Sequence, residues 1–364
     1  MVNLILAVMP TGLWEKIIFA FNGAVKNYAL AIILLTLVIK LVLLPVDFIN
    51  RRSSAKMTQV QTKLQPKMQE IQRKYPDKNI QNQKLGELYQ KEGFNPMGSC
   101  VTMIIVMVVT MGVFFGLFSG LNAMASYKIV DQYEQLQKAY VAEYVEDKGL
   151  DINALTQEEI DGYVYEIYNP DNDPDNYEIR ISTAHQAVAE KYEEVKESFL
   201  WIKNVWIADT PFARAIPSFE SYAQTAGLTF ENETKKAEAK NVYNAVMGDL
   251  EKSQGVNGYF ILAILAAVST FLSQYLLTKK KKQKDNFYTK QQEGQPMTPQ
   301  ASTGKAMMIV FPIIMLVFTL SYNAIFALYI VVGQLFTMAT TPLISKLIEI
   351  ADNKKEKKAK VVKK

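Results

Sequence analysis

YALAIILLTLVIKLVLLPV, running from Tyr28 to Val46, carries one charge, Lys40, in an otherwise uncharged stretch. About 20 apolar residues in a helix cross the hydrocarbon core of a bilayer. The stretch therefore reads as a membrane span with an ammonium group inside it. Placing a lysine near the centre of such a helix costs about 2.5–3.5 kcal/mol on insertion scales. A cation kept at that cost needs water, a partner, a reach to the surface, or a function.

The mean hydropathy over 364 residues is 0.00, but that average conceals segregation. Besides the first block, Pro96–Tyr127, Val256–Thr278 and Ala306–Ser345 lack Asp, Glu, Lys and Arg altogether. The first three blocks hold one span each. The fourth is too long for one span and contains Ser321-Tyr322-Asn323, a polar break suited to a turn. The expected fold is thus an all-α membrane protein with five transmembrane helices, a cytoplasmic helical hairpin and an inserted extracytoplasmic helical region. The expected spans are 28–46, 99–121, 256–278, 306–321 and 324–345. The fourth, at about 22 Å, is short against the ~30 Å core.

Charge orients these spans. Residues 51–92 carry 10 Lys/Arg against 4 Asp/Glu, residues 278–305 carry 7 against 2, and residues 346–364 carry 8 against 3. Residues 121–255 instead carry 12 against 25. Short basic loops stay cytoplasmic. The N-terminus is then expected outside and the C-terminus in the cytoplasm. The hairpin 51–93, the basic loop 279–305 and the basic tail 346–364 lie inside, and the acidic region 122–255 lies outside. Residues 1–27 lack a basic n-region and a small-residue cleavage site. They read as an outer-face amphipathic segment, with cleavage left open.

The hairpin reads as two helices. Met57, Val60, Leu64, Met68 and Ile71 form a stripe at spacings of three and four on the first, about 54–74. Tyr75-Pro76-Asp77 stops it, and Leu85, Leu88 and Tyr89 mark the second, about 78–91. In the acidic region, 132–145 and 183–199 read as helices. Between them, 169–175 is a turn-rich Asp/Pro loop that departs from an EF-hand by its two prolines and the lack of a turn glycine. Cys100 and His185 are the only residues of their types. One cysteine leaves no disulfide within the chain and no thiolate cluster, and one histidine argues against a multi-histidine metal site; His185, alone on a helix, reads as structural rather than as the base of a Ser-His-Asp triad. There is no P-loop, and no nucleophile–base pair or metal constellation is visible. The expectation is a protein that is not an enzyme, with no cofactor and no metal.

Several strings, in order, carry a likeness to a known family. They are LAIILLTLVIKLVLLP (30–45), KLQPKMQ (63–69), NPMGSC (95–100), FLW (199–201), TFLSQ (270–274), and Met307-Met308 with Pro312. In this order and topology the chain resembles the YidC/Oxa/Alb family of membrane protein insertases. The resemblance implies a five-helix core around a hydrophilic groove, open to cytoplasm and lipid and closed outside, with a cation from span 1. Lys40 occupies the place where the family usually has Arg. Thr36, one turn before it, shares its face. Thr102, Thr110, Ser273, Gln274 and Gln334 are the other groove candidates, and Tyr329 resembles the aromatic of the last span. Ile330 stands where Trp often follows. Met97, Met103, Met107 and Met111 offer an adaptable apolar surface.

The implied function is a membrane protein insertase and chaperone whose Lys40 attracts acidic substrate segments. The implied partners are nascent membrane proteins, the ribosome through the basic tail and hairpin, the Sec translocon and anionic lipids. The implied location is the bacterial cytoplasmic membrane. Relatives with this core mostly have a short loop between spans 2 and 3. Here two insertions, 122–198 and 213–255, flank the family-like FLWIKNVWIADTPF (199–212) and are expected to form a small helical cap. The residues leave three other readings open: snorkelling of Lys40 towards Asp47, a transporter or channel with Lys40 in its permeation path, and a membrane scaffold working through its outer region.

Overall fold

The computed structural model describes the backbone of residues 8–92, 96–289 and 299–362, and their side chains except at 57–59, 61–62, 96–100, 102–103, 277–289, 299–307 and 352–362. The side chains of Thr102, Cys100, Met57, Met97 and Met103, those of the lysine run at 279–282 and those of the basic tail from 354 lie outside that set. Eleven α-helices are described: α1 (Leu13–Val25), α2 (Tyr28–Lys74), α3 (Lys78–Lys91), α4 (Pro96–Asp147), α5 (Gln157–Tyr168), α6 (Tyr177–Val195), α7 (Phe219–Ala226), α8 (Glu233–Gln254), α9 (Ile261–Thr289), α10 (Pro299–Ser321) and α11 (Ala324–Val362). Two isolated β-bridges are the only extended pairings among the described residues. The chain is an all-α membrane protein. Among the described residues, Tyr28–Lys56, Ile104–Asp147 and Ala324–Ala351 are long and apolar enough to cross a bilayer, and Ile261–Leu276 of α9 and Met308–Ser321 of α10 are shorter apolar stretches.

Helix continuity differs from the sequence expectation. The first span and the first hairpin helix are one 47-residue helix, α2, with Pro45 and Pro66 inside it. The second span and the helix expected at 132–145 are one 52-residue helix, α4. Nothing between the apolar and polar parts breaks either helix, because a backbone already bonded i to i−4 meets no penalty on leaving lipid. Proline removes one of those bonds without ending α2. The helix expected at 183–199 runs instead from Tyr177 to Val195. The third apolar helix begins at Ile261, five residues later than expected.

The chain forms two compact units. One comprises Met1–Leu35, Phe118–Val268 and Phe311–Val331. Its core follows from helical spacing. Leu121, Met124, Tyr133, Leu136, Tyr140 and Val141 of α4 are buried, as are Ala184, Val188 and Tyr192 of α6 and Tyr243, Val246, Met247 and Leu250 of α8. Tyrosine rings fill the centre: Tyr243 stacks on Tyr133 at 5.0 Å and on Tyr222 at 4.8 Å between centroids. Such rings bury large apolar areas, and each hydroxyl then needs a partner. That of Tyr243 donates to the Pro217 carbonyl at 2.8 Å. The helix ends are written locally. Thr156 and Glu159 form a capping box on α5, Asn232 caps α8, and Gly227 closes α7 in the left-handed region at φ 67°. His185 bridges α6 to α8 through Asp249 (2.8 Å) and the Ala245 carbonyl (3.0 Å).

A knot of buried polar side chains organises residues 199–215 and 256–260. Asn257 is fully buried; its amide donates to the carbonyls of Asn204 (2.9 Å), Ile207 (3.2 Å) and Ala208 (3.0 Å), while its Oδ1 accepts from Asn204 N–H (2.8 Å). Asp209 accepts from Tyr259 N–H (2.8 Å) and Leu262 N–H (2.6 Å), satisfying the first turn of α9. Gly258 is required there, because a Cβ would lie 1.9 Å from Asp209 Oδ1 and 2.9 Å from its Cα. The same loop caps α11: Ala324 N–H donates to Ile207 O (2.9 Å), Ile325 N–H to Val205 O (3.0 Å), and Phe326 N–H to Asn323 Oδ1 (3.0 Å). The expected break at 321–323 is thus a turn held by loop carbonyls and an asparagine. Beside it Phe118 packs on Tyr322 (4.7 Å) and Phe326 (5.0 Å). Tyr28, at the start of α2, packs edge-on to Trp206 at 5.1 Å. Lys128 covers the Tyr28 ring at 4.9 Å and pairs with Glu197 at 3.2 Å.

The second unit comprises Thr36–Leu117, Ser269–Val310 and Val332–Lys364. In its polar hairpin Asp77 caps α3, Leu64 is buried, the Tyr89 hydroxyl reaches Met68 Sδ at 3.6 Å, and Lys67 pairs with Glu92 at 2.6 Å.

Removing the Asn257 side chain strands the buried Asn204 N–H and takes one of two donors from each of the Asn204, Ile207 and Ala208 carbonyls. An unmet buried group costs about 1–3 kcal/mol, and each lost bond adds to it. Asn257→Ala should therefore destabilise the protein by about 2 kcal/mol or more, read as a lowered midpoint of thermal unfolding in detergent. An unchanged midpoint would show that the knot contributes nothing to stability.

Candidate functional site

The membrane helices of the second unit are apolar outside and polar within. On α2, Leu34, Val38, Leu41, Val42 and Ile49 form an exposed stripe, while Thr36 on the opposite face is fully buried. On α9, Phe271, Leu272, Tyr275 and Leu276 are exposed, and Ser269, Thr270 and Ser273 are buried. Lipid selects the apolar stripes. The hydroxyls turn inward, where small polar residues let helices approach and bond.

Lys40 lies off the exposed stripe of α2 and is half-buried. Its side chain ends against α11. A Cβ placed on Gly333 would meet Lys40 Cε at 3.1 Å, Lys40 Nζ at 3.7 Å and Thr36 Cγ2 at 3.9 Å. Glycine at 333 thus provides the room that the end of the lysine occupies. Lys40 and Thr36, expected together from their spacing of four, do meet at one spot, and that spot is a glycine of the last helix. Gln334 follows it and is half-buried.

About three turns along α2, a second cation joins the same pair of helices: Arg51 Nη1 donates to Thr341 Oγ1 at 2.7 Å. Thr36, Lys40, Asp47 and Arg51 follow at intervals of four, seven and four residues, which keeps them near one face of α2. On α11, Gly333, Thr337, Thr341 and Ser345 recur every four residues. Their hydroxyls donate to their own helix, Thr337 to Gly333 O (2.8 Å), Thr341 to Thr337 O (2.6 Å) and Ser345 to Thr341 O (2.8 Å). The Thr341 oxygen keeps a lone pair for Arg51.

The other sequence candidates divide. Ser273 is buried and Gln274 half-buried on α9. Thr110 donates to the carbonyls of Val106 (2.9 Å) and Met107 (3.1 Å), so its hydroxyl serves its own helix. Tyr329 belongs to the other unit, its ring 6.0 Å from Phe326. Met107 and Met111 are exposed. Gly333, Arg51, Thr341 and Thr270 were not anticipated from sequence. The four-residue repeat of small and hydroxyl residues on α11 was the available signal for Gly333 and Thr341; Arg51, on α2, lies eleven residues after Lys40. Thr270, whose buried hydroxyl lacks a partner among the described residues, stood in a string noted only for likeness. No group of three or more His, Cys, Asp or Glu among the described residues is placed to hold a metal ion.

Comparison with known proteins shows the family. The sequence profile described as 60Kd inner membrane protein matches residues 20–353. The membrane protein insertase YidC of Geobacter metallireducens is 41% identical over 86 residues, covering 23% of this chain and 15% of that protein. That of Chlorobium limicola is 35% identical over 99 residues, 27% of this chain and 15% of the other. The membrane protein insertase YidC 1 of Streptococcus agalactiae serotype V is 33% identical over 104 residues, 26% of this chain and 37% of the other. The chain spans well under half the length of each of these relatives. With the profile running across most of its length, the chain belongs to the 60Kd inner membrane protein family and is a multi-pass protein of a bacterial inner membrane.

Proposed function

We propose that this protein is a non-enzymatic membrane protein insertase, which receives polar segments of nascent membrane proteins on a cationic, hydroxyl-lined face of its membrane helices. The observation that carries the reading is the seat of Lys40. Its ammonium end rests on Gly333 of α11 beside buried Thr36. A snorkelling lysine would stretch along its own helix towards the cytoplasmic end; this one crosses to a neighbouring helix. An intramembrane cation held among polar neighbours is by default a functional group. The names of the relatives point the same way.

The physics of the step is as follows. A polar segment crossing bare hydrocarbon leaves each unpaired peptide group unsatisfied at several kcal/mol. Hydroxyls of α9 and α11 and the Lys40 charge offer partners partway across. Acidic side chains or a terminal carboxylate are the substrate groups Lys40 attracts. The adjoining apolar span then leaves sideways into lipid, gaining about 25 cal/mol per Å² of apolar area buried. The uncharged part of α10 before the turn, 306–321, is short against the hydrocarbon core, and mismatch of this kind thins the bilayer locally. No nucleotide enters the scheme.

In this reading the chain has five spans, with its N-terminus outside and its C-terminus in the cytoplasm, as the charge bias of its loops supports. The α2–α3 hairpin and the basic tail are surfaces for anionic lipid and for the ribosome, and a Sec translocon is a further candidate partner. Residues 122–255 stand outside.

Charge-assisted contacts contribute about 1.5–3 kcal/mol. Lys40→Ala should therefore lower insertion of substrates with acidic outer segments by about tenfold or more, while Lys40→Arg is tolerated. Equal insertion by both variants would remove the charge from the mechanism. Gly333→Leu should reproduce the Lys40→Ala defect at normal protein abundance, since it takes the space of the ammonium. A normal rate in that variant would mean that the seat on α11 is incidental. Photocrosslinkers at Gln274 should capture nascent chains during synthesis, and silence there would take α9 out of the substrate path.

A further inference from the structure

The extracytoplasmic helices of the first unit hold a cavity of about 420 Å³ between α4, α5, α7 and α8. Its wall includes Tyr133, Asp161, Tyr165, Tyr168, Tyr222 and Glu238, and among the described residues no Lys or Arg lines it. Local sequence places these groups. On α5, Ile160, Val164 and Ile167 are buried in the core, and the adjacent stripe, Asp161, Tyr165 and Tyr168, follows at spacings of four and three towards the cavity.

The carboxylate of Asp161 is only partly satisfied. Gln137 Nε2 (2.6 Å) and Gln157 Nε2 (3.1 Å) both donate to Oδ1, and among the described residues nothing donates to Oδ2. Burial pushes the Asp161 carboxyl above the ordinary range, and the two amides pull it back. Tyr222 is 2% exposed and its hydroxyl has no hydrogen-bond partner among the described residues. A buried hydroxyl without a partner is rare and calls for an explanation. Glu238, at the exposed rim, pairs with Lys235 on its own helix at 2.7 Å, a surface pair of small energy.

Acceptor oxygens, π faces and no fixed cation are the features that bind positive organic groups, because the ring quadrupole and a carboxylate both attract positive charge. The surrounding region adds to the field, with 12 Lys/Arg against 25 Asp/Glu over residues 121–255. We propose that this cavity is a binding site for an organic cation, an ammonium or guanidinium group seated among the tyrosine rings, with Asp161 Oδ2 as counter-ion and the Tyr222 hydroxyl as a further acceptor. The site is independent of the Lys40 reading and lies in a different unit of the chain.

The test is a calorimetric titration of the full chain, purified in maltoside micelles at low salt, with three probes. They are choline, agmatine, and 3,3-dimethylbutan-1-ol, which matches choline in shape without its charge. At least one cation should bind saturably and at least tenfold more tightly than the neutral alcohol. Binding of choline alone identifies a quaternary ammonium, such as a headgroup, as the ligand type. Binding of agmatine alone identifies an amine or guanidinium, such as a basic side chain. Asp161→Asn should weaken the bound cation at least tenfold, and Tyr222→Phe severalfold, with the unfolding midpoint of Tyr222→Phe unchanged. Absence of saturable binding by both cations, equal binding of the alcohol, or undiminished binding by a folded Asp161→Asn protein would each overturn the assignment. Should Asp161→Asn fail to fold, undiminished binding by Tyr222→Phe overturns it instead.

Discussion

An ammonium group inside an apolar helix is the constraint around which the membrane part of this protein is arranged. Hydrocarbon offers Lys40 nothing, so the helices supply neighbours. The exposed stripe of α2 is Leu, Val and Ile, and the cation sits off it, against Gly333 of α11 and beside Thr36. The glycine is not a helix former chosen for propensity; it costs close to 1 kcal/mol against alanine in a helix interior. Its use here is spatial, since any side chain at 333 would compete with the lysine for one volume. Arg51 repeats the solution further along the same pair of helices by bonding Thr341. In membrane helices, where burial gives no drive to associate, close approach and polar contacts of this kind hold helices together.

The region between the second and third apolar helices follows a different rule. Its stability rests on burying apolar area and on satisfying polar groups that burial strands. The tyrosine-filled core of α4, α6, α7 and α8 does the first. The Asn204–Asn257–Asp209 knot does the second, at the place where the loop must turn and enter α9. There the N–H groups of α9 and α11 are met by an aspartate, an asparagine and two loop carbonyls. Irregular backbone beside a membrane needs such accounting. The requirement for Gly258 shows how little room remains around Asp209.

Much of this could be read from the chain alone, and the failures are instructive. The apolar blocks, the charge asymmetry and the isolation of Lys40 are local properties, visible in one dimension. The hairpin stop at Tyr75-Pro76-Asp77 and the turn at Ser321-Tyr322-Asn323 were legible because proline, aspartate and asparagine act on their own neighbourhood. The continuity of α2 and α4 was not. Block boundaries mark where lipid ends, and a helix has no reason to end there. Nor was the direction of a hydroxyl legible: that of Thr110 bonds the carbonyls of Val106 and Met107, and a threonine reads the same in sequence whichever way it points.

By itself, the sequence determined that the chain is helical and membrane-embedded, that a lone cation lies inside the first apolar helix, and that the region between the second and third apolar blocks is acidic and foreign to lipid. These follow from transfer free energies, which each segment carries with it. Tertiary structure alone decided that Lys40 meets Gly333, that Arg51 meets Thr341 across 290 residues, and that Asp161 and Tyr222 share one cavity wall. Those pairings depend on which faces of distant helices come together, and helical spacing specifies a face without naming its neighbour.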